Sequence, residues 1–149
     1  MILILCLMII MKTMNVLRFD GGSNPNPGRC AGAYVLYDNN SDKIAEGGQY
    51  IEHGTNNIGE YTGLVIGLQR CVELGISNLR VEGDSLLVIS QVTGKWKVKH
   101  EGLKPLHAKA TELSKKIMTI EFGHIRREYN SYADSLSDKT LEIKMNWEL

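Results

Sequence analysis

Four acidic residues occupy positions where a carboxylate is presented to something else. Asp20 follows the apolar run Met14-Asn15-Val16-Leu17-Arg18-Phe19 and leads straight into Gly21-Gly22-Ser23 and a loop with two prolines. Asp84 closes a second short strand-like stretch, "NLRVEGD", while Glu60 falls in the first turn of a helical pattern and Asp134 near the start of another. Open α/β sheets bind ligands beyond the carboxyl ends of their strands. If the strands ending at Asp20 and Asp84 are parallel neighbours, all four acids converge on one sheet edge. Hard oxygen donors at that density suit Mg²⁺ or Mn²⁺, and two such ions about 4 Å apart activate water and stabilise a leaving oxygen in many nucleases.

Taken singly, each acid has a second reading. Asn57-Ile58-Gly59-Glu60 has the spacing of a capping box, which makes Glu60 a helix cap. Asp84 can cap the short helix that follows it, and Asp134 can be an acid favoured by a helix dipole. Asp20 before two glycines can form an Asx turn.

The elements that must carry these residues follow from periodicity and punctuation. Met14–Asp20, Cys30–Asp38 and Lys43–Ile51 read as strands joined by short turns, hence an antiparallel meander. From Asn57 to Leu74 the residues Tyr61, Leu64, Val65, Leu68, Cys71 and Val72 recur at three and four, a helical stripe closed by Gly75. Gly59, Gly63 and Gly67, spaced by four, are expected to let this helix lie close to the sheet. "NLRVEGD" is a fourth strand, "SLLVISQV" a short helix, Gly94–Gly102 a loop and Leu103–Lys116 an amphipathic segment. Met118–Ile125 is a fifth strand and Ser131–Ile143 a last helix. The expected fold is therefore α/β. It has a five-stranded mixed sheet, three strands antiparallel and then two parallel, with helices on both faces.

Composition narrows the setting. The 149 residues make one ordinary domain, 43% hydrophobic and 23% charged, in the range of globular proteins. Lys+Arg and Asp+Glu number 17 each, so no global basic field announces a polyanion partner. Cys6, Cys30 and Cys71 form no CxxC pair and leave an odd count, which argues against zinc and a disulfide framework and for a reducing, cytoplasmic setting. "MILILCLMII" is about half of the roughly 20 residues a membrane span needs, and it lacks the flanks of a signal peptide. With Met8, Met11 and Met14 in frame, residues 1–12 are expected to be an extension upstream of the true start or an added edge strand. The domain proper is then 13–149.

The stretches "FDGGSNPNPG", "TNNIGEYTGLVIGL", "VEGDSLLVISQV" and "HIRREYNSYADSLS" together resemble ribonuclease H of the type 1 class, in order from Asn15 to Glu142. The resemblance implies the ribonuclease H-like fold and a metal-dependent endonuclease. Such an enzyme cuts the RNA strand of RNA/DNA hybrids to 5′-phosphate and 3′-hydroxyl ends, using two Mg²⁺ ions, or Mn²⁺ as substitute, with substrate bound. It places Asp20, Glu60, Asp84 and Asp134 at the catalytic, metal-binding positions. Gly21, Gly22 and Ser23 match the loop after the first acid, and Thr55, Asn56 and Asn57 match the "TNN" before the glutamate, all on the substrate side. Amides and Asn side chains suit the 2′-hydroxyls and base edges of a minor groove, and the Thr55 hydroxyl suits a DNA phosphate. A monomer with no membrane and no obligate protein partner is expected. The alternative is a non-catalytic module of the same fold that binds RNA or hybrids.

Two departures qualify the resemblance. Many bacterial members carry a basic, tryptophan-containing handle between the third and fourth acids; here only "GKWKVKHEG" stands there, so this is a form lacking the handle. Lys95, Trp96, Lys97 and Lys99 then make either a reduced phosphate and stacking patch or a solvated loop. His124 stands ten residues before Asp134, where long-loop members keep a proton-shuttling histidine, yet "HIRREYNSYAD" is more similar to the short-loop version. In that version the histidine's position ends a strand, and Arg127 is the auxiliary residue for phosphate handling.

Overall fold

Alternation of side chains fixes the first strand. In the computed structural model, which describes residues 2–6 and 14–149, β1 (Asn15–Ser23) buries Leu17 and Phe19 and leaves Val16 and Arg18 partly exposed. β2 (Gly28–Tyr37) runs antiparallel to β1, and β3 (Lys43–Gly54) antiparallel to β2. The next element is the helix α1 (Asn56–Glu73), capped at its start by the Thr55 hydroxyl, which accepts from the Ile58 amide at 3.2 Å. It is closed by Gly75 at φ +71°, a left-handed conformation that suits a residue without Cβ.

The crossover through α1 delivers β4 (Asn78–Gly83) to the other side of β1, in parallel, with Leu17 opposite Val81 and Phe19 opposite Gly83. Two helices follow, α2 (Leu86–Val92) and α3 (Lys104–Ser114), the latter preceded by a 3-10 turn at Glu101–Leu103. β5 (Thr119–His124) then pairs in parallel with β4, and α4 (Ser131–Ile143) comes after a second 3-10 turn at Arg127–Tyr129. Helices cover both faces of the sheet. Leu17, Phe19, Tyr34 and Leu36 pack with Tyr61, Leu64 and Leu68 of α1 on one side, and Ala33 and Val35 with Ala133 and Leu136 of α4 on the other.

The sheet has six strands rather than the expected five, in the order β5-β4-β1-β2-β3-β6. The extra one, β6 (Trp147–Glu148), pairs Gly47 with Glu148 and Gly48 with Trp147 at the edge of β3. It is pinned there by side chains. The Trp147 indole donates to Thr140 Oγ1 at 2.8 Å, and Glu148 accepts from the Tyr34 hydroxyl at 3.0 Å.

Of the apolar amino terminus, residues 2–6 are helical and exposed, so this part adds no strand to the sheet edge. The rest of the expected 1–12 extension lies outside the described residues. No helix among the described residues is long and apolar enough to cross a membrane.

Candidate active site

The site is built where β1 and β4 run side by side. Because Phe19 pairs with Gly83, the next residues, Asp20 within β1 and Asp84 just past the end of β4, come side by side. Glu60 reaches them from α1. One carboxylate oxygen from each of Asp20, Glu60 and Asp84 lies within 4.8 Å of the others. Asp134, exposed in the first turn of α4, stands outside this triad but next to Asp20, whose carboxyl it affects directly.

Two sequence-based expectations need correction. β1 does not stop at Asp20: Gly21, Gly22 and Ser23 continue it, paired with Gly32, Ala31 and Cys30 of β2. Gly21 and Gly63 serve close packing, since a Cβ on Gly21 would fall on the carbonyl group of Gly59 in α1 and one on Gly63 would meet the Asp20 carbonyl oxygen. This is the expected role of the helix glycines, extended to the strand they lie against. Nor is Glu60 part of a capping box. With Thr55 as N-cap, Glu60 lies beyond the first turn, and its side chain is free to face Asp20 and Asp84. The capping alternative for Asp84 fails for a parallel reason, because the Ser85 hydroxyl caps α2 by accepting from the Val88 amide at 3.2 Å.

The electrostatics are those of acids held together against their own repulsion. Asp20 is 5% exposed and Glu60 9%. Burial, the neighbouring Asp134 carboxyl and the charge on Asp84 hold Asp20 well above the usual carboxylate range. Burial and the charges of Asp20 and Asp84 do the same to Glu60, with Arg127 pulling partly the other way. Glu60 Oε2 is buried and has no hydrogen-bond partner. A buried carboxylate oxygen without a donor costs folding free energy unless a cation completes it. An all-oxygen cluster of this kind fits a hard divalent ion.

Asn130 is a site residue that sequence reasoning missed. It is 1% exposed, and its Nδ2 donates to the Phe19 carbonyl at 2.9 Å and to Asp84 Oδ2 at 3.0 Å. Both partners are acceptors, which fixes the orientation of the amide. An asparagine just before a helix signals an N-cap, but here the side chain makes no capping bond.

The remaining candidates sort by distance from the acids. Ser23 and Asn56 are joined, the Ser23 amide donating to Asn56 Oδ1 at 2.9 Å, and Asn26 Oδ1 accepts from the Asn56 amide at 3.1 Å. Thr55, Asn56 and Asn57 line a cleft of about 980 Å³ whose wall also includes Gln91, Trp96, Lys97, Lys99 and His100. Lys95 is not part of that wall. His124 ends β5 opposite Gly83, and its Nε2 lies 3.1 Å from the Asp84 carbonyl oxygen. That contact requires Nε2 to carry the proton. Arg127 is exposed in the 3-10 turn, close enough to Glu60 to bias it.

Comparison with known proteins agrees with this geometry. The family described as "Reverse transcriptase-like" matches residues 18–140. A bifunctional protein of Mycobacterium tuberculosis is 40% identical over 128 residues, which are 85% of this chain and 35% of that protein. Its N-terminal RNase H domain, solved as a fusion with maltose-binding protein, superposes with a TM-score of 0.85 at 36% identity, covering 88% of this chain and 95% of that one. Ribonuclease HI of Halobacterium salinarum is 35% identical over 124 residues, 83% of this chain and 62% of that protein. LC11-RNase H1, solved in complex with an RNA/DNA hybrid, superposes with a TM-score of 0.81 at 30% identity, covering 87% of this chain and 98% of that one. The chain thus spans about a third of the length of the mycobacterial relative and under two thirds of the halobacterial one. With a matching family model over most of its length and the same arrangement of strands and helices as these structures, the chain belongs to the reverse transcriptase-like family, of ribonuclease H-like fold.

Proposed function

We propose that this chain is a ribonuclease H that cleaves the RNA strand of RNA/DNA hybrids internally, leaving 5′-phosphate and 3′-hydroxyl ends, with domain 13–149 as the working unit. The observation that carries the proposal is the triad of Asp20, Glu60 and Asp84, drawn from three separate elements to within 4.8 Å, with a buried oxygen of Glu60 left without a donor. Asp134 completes the set from α4. These four acids would hold two divalent ions, Mg²⁺ or Mn²⁺ as substitute, which when bound supply positive charge at the scissile phosphate and make water a nucleophile near neutral pH.

The chain's own groups have the complementary task of placing the hybrid. Ser23, Asn56 and Asn26 are already tied to one another, so the donors and acceptors they offer a minor groove are held in place before substrate arrives. The backbone at Gly22 has no side chain to keep a sugar away. Thr55 Oγ1 accepts the Ile58 amide, which leaves its hydroxyl hydrogen to donate to a DNA phosphate. The likeness to LC11-RNase H1, solved with an RNA/DNA hybrid, supports the substrate class. All four acids come from one chain, so a monomer suffices. The free, buried Cys30 and Cys71 are compatible with a reducing, cytoplasmic setting.

The test is cleavage of an end-labelled RNA/DNA hybrid beside duplex RNA, duplex DNA and single strands, with Mg²⁺ or Mn²⁺ and with chelator. Internal cuts confined to the RNA strand of the hybrid and dependent on metal are expected. Metal-independent cleavage, or none with either ion, would overturn the proposal.

A further inference from the structure

One of the residues lining the cleft beside Trp96 and Lys97 is a buried amide. Gln91, near the end of α2, is 6% exposed, and Tyr61, which follows Glu60 on α1, is fully buried. The Tyr61 hydroxyl donates to Gln91 Oε1 at 2.6 Å, and Gln91 Nε2 donates to the Lys97 carbonyl at 3.3 Å. The Gln91 carbonyl in turn accepts from His107 Nε2 of α3 at 3.2 Å. One residue therefore links α1, α3 and the Gly94–Gly102 loop. Apart from an exposed ion pair between Glu101 and Lys104 at 2.6 Å, the loop's other ties are backbone or apolar: the Trp96 amide donates to the Ser90 carbonyl at 3.0 Å, and Val98 packs against the core.

We propose that Gln91 is a positioning residue that latches the Trp96-Lys97-Val98-Lys99 segment to α1 and thereby sets affinity for the hybrid, without entering the chemical step. The proposal rests on the ribonuclease reading for its substrate. The argument is one of geometry and solvation. Trp96 is 48% exposed, and its neighbours are lysines with long mobile stems, so no packing of their own holds them at the cleft wall. Flexible cations lose more entropy on binding phosphate than cations on a fixed backbone. A buried side-chain amide with a hydroxyl on one side and a carbonyl on the other fixes that backbone, because leaving either end unpaired in the core is costly. The same helix carries Glu60 and Tyr61 in succession, so the cleft wall is referenced to the helix that carries one of the acids.

The test uses the full chain with one double and one single substitution. Tyr61→Phe with Gln91→Leu removes both ends of the buried hydrogen bond together, so no orphaned hydroxyl confuses the result. Gln91→Glu keeps an acceptor for Tyr61 but loses the donor to Lys97. In both, KM for a hybrid is expected to rise about fivefold, the equivalent of one net hydrogen bond, with kcat unchanged. Trp96 is read separately in a Trp147→Phe background, where it is the remaining one of the two tryptophans. Its quenching by acrylamide should increase in both variants. Wild-type KM and quenching in the variants would overturn the latch, as would a fall in kcat at constant KM. If the wild type cleaves no hybrid, the substrate reading fails, and the quenching result still decides the latch.

Discussion

Asn130 Nδ2 lies 3.0 Å from Asp84 Oδ2 and 2.9 Å from the carbonyl oxygen of Phe19, so a single buried amide ties the Asp84 carboxylate to β1 at the residue before Asp20. The amide holds Asp84 beside Asp20 while keeping its second carboxylate oxygen free. Groups that orient a metal-binding carboxylate in this way typically contribute about 10- to 100-fold in metal affinity or activity. Asn130→Asp, almost isosteric, replaces a donor with a charge facing Asp84. The expected outcome is a fall in kcat of that size with a lower melting temperature. An Asn130→Asp enzyme of wild-type activity would show that Asp84 needs no such support.

Gly21 and Gly22 are adjacent in sequence and differ in what surrounds them. A Cβ on Gly21 would collide with the backbone of Gly59, which cannot move without moving α1, whereas one on Gly22 meets only Asn56 Oδ1 at 3.7 Å, an ordinary contact. Gly21→Ala is therefore expected to cost about 3 kcal/mol or more, a drop in melting temperature on the order of 10 °C. Gly22→Ala should melt like the wild type and reveal instead whether substrate approaches that backbone, through a raised KM for hybrid. Equal melting temperatures for the two variants would contradict the packing described for α1 on β1.

His124 and Arg127 are separated by what each touches. The imidazole is engaged with the Asp84 carbonyl and ends a strand, so His124→Ala should lower the rate by about three- to fivefold, the equivalent of one hydrogen bond, with the pH–rate profile unchanged in shape. Loss of a proton shuttle would instead cost on the order of 100-fold and remove a limb of the profile. Arg127→Ala removes a cation whose charge acts on Glu60 and is expected to have the larger effect of the two on KM. Rates measured for both variants across pH distinguish the two roles.

Much of this site was legible because its parts obey local rules. The run ending at Asp20 and the run ending at Asp84 each read as a strand, and their parallel pairing follows from a crossover through one long helix. Sequence failed where a tertiary contact outweighed a local signal. Asn57 and Glu60 have capping-box spacing, but Thr55 starts the helix two residues earlier, which turns Glu60 inward to the other acids. Asn130 sits where a cap belongs, and its amide is diverted to a β1 carbonyl 111 residues away. β6 is two residues long, too short for any periodicity, and exists because Trp147 finds Thr140 and Glu148 finds Tyr34. Gly21-Gly22 carries the signature of a loop, and only the helix lying against it shows why the strand continues.

The last prediction concerns the apo protein's dependence on pH. Asp20, ordinarily near 3.8, is pushed up to about 8 by burial, by its Asp134 neighbour and by the charge on Asp84. A carboxyl whose pKa is raised by folding binds its proton more tightly in the folded state than in the unfolded chain. Its contribution to stability is therefore fully present below about pH 4 and is lost as pH rises through neutrality towards 8. In chelator the wild type should melt at progressively lower temperature across that interval, and Asp20→Asn, which carries no charge to desolvate, should show a shallower decline and a higher melting temperature near pH 7. A divalent ion that binds only the folded site reverses the trend for the wild type. At 100 times its dissociation constant it adds about 2.7 kcal/mol. Asp20→Asn should gain clearly less from Mg²⁺ at constant ionic strength, and should cleave no hybrid while still binding it. If Asp20→Asn in chelator follows the wild-type decline and gains as much from Mg²⁺, then Asp20 neither carries the repulsion of this cluster nor takes part in holding the metal.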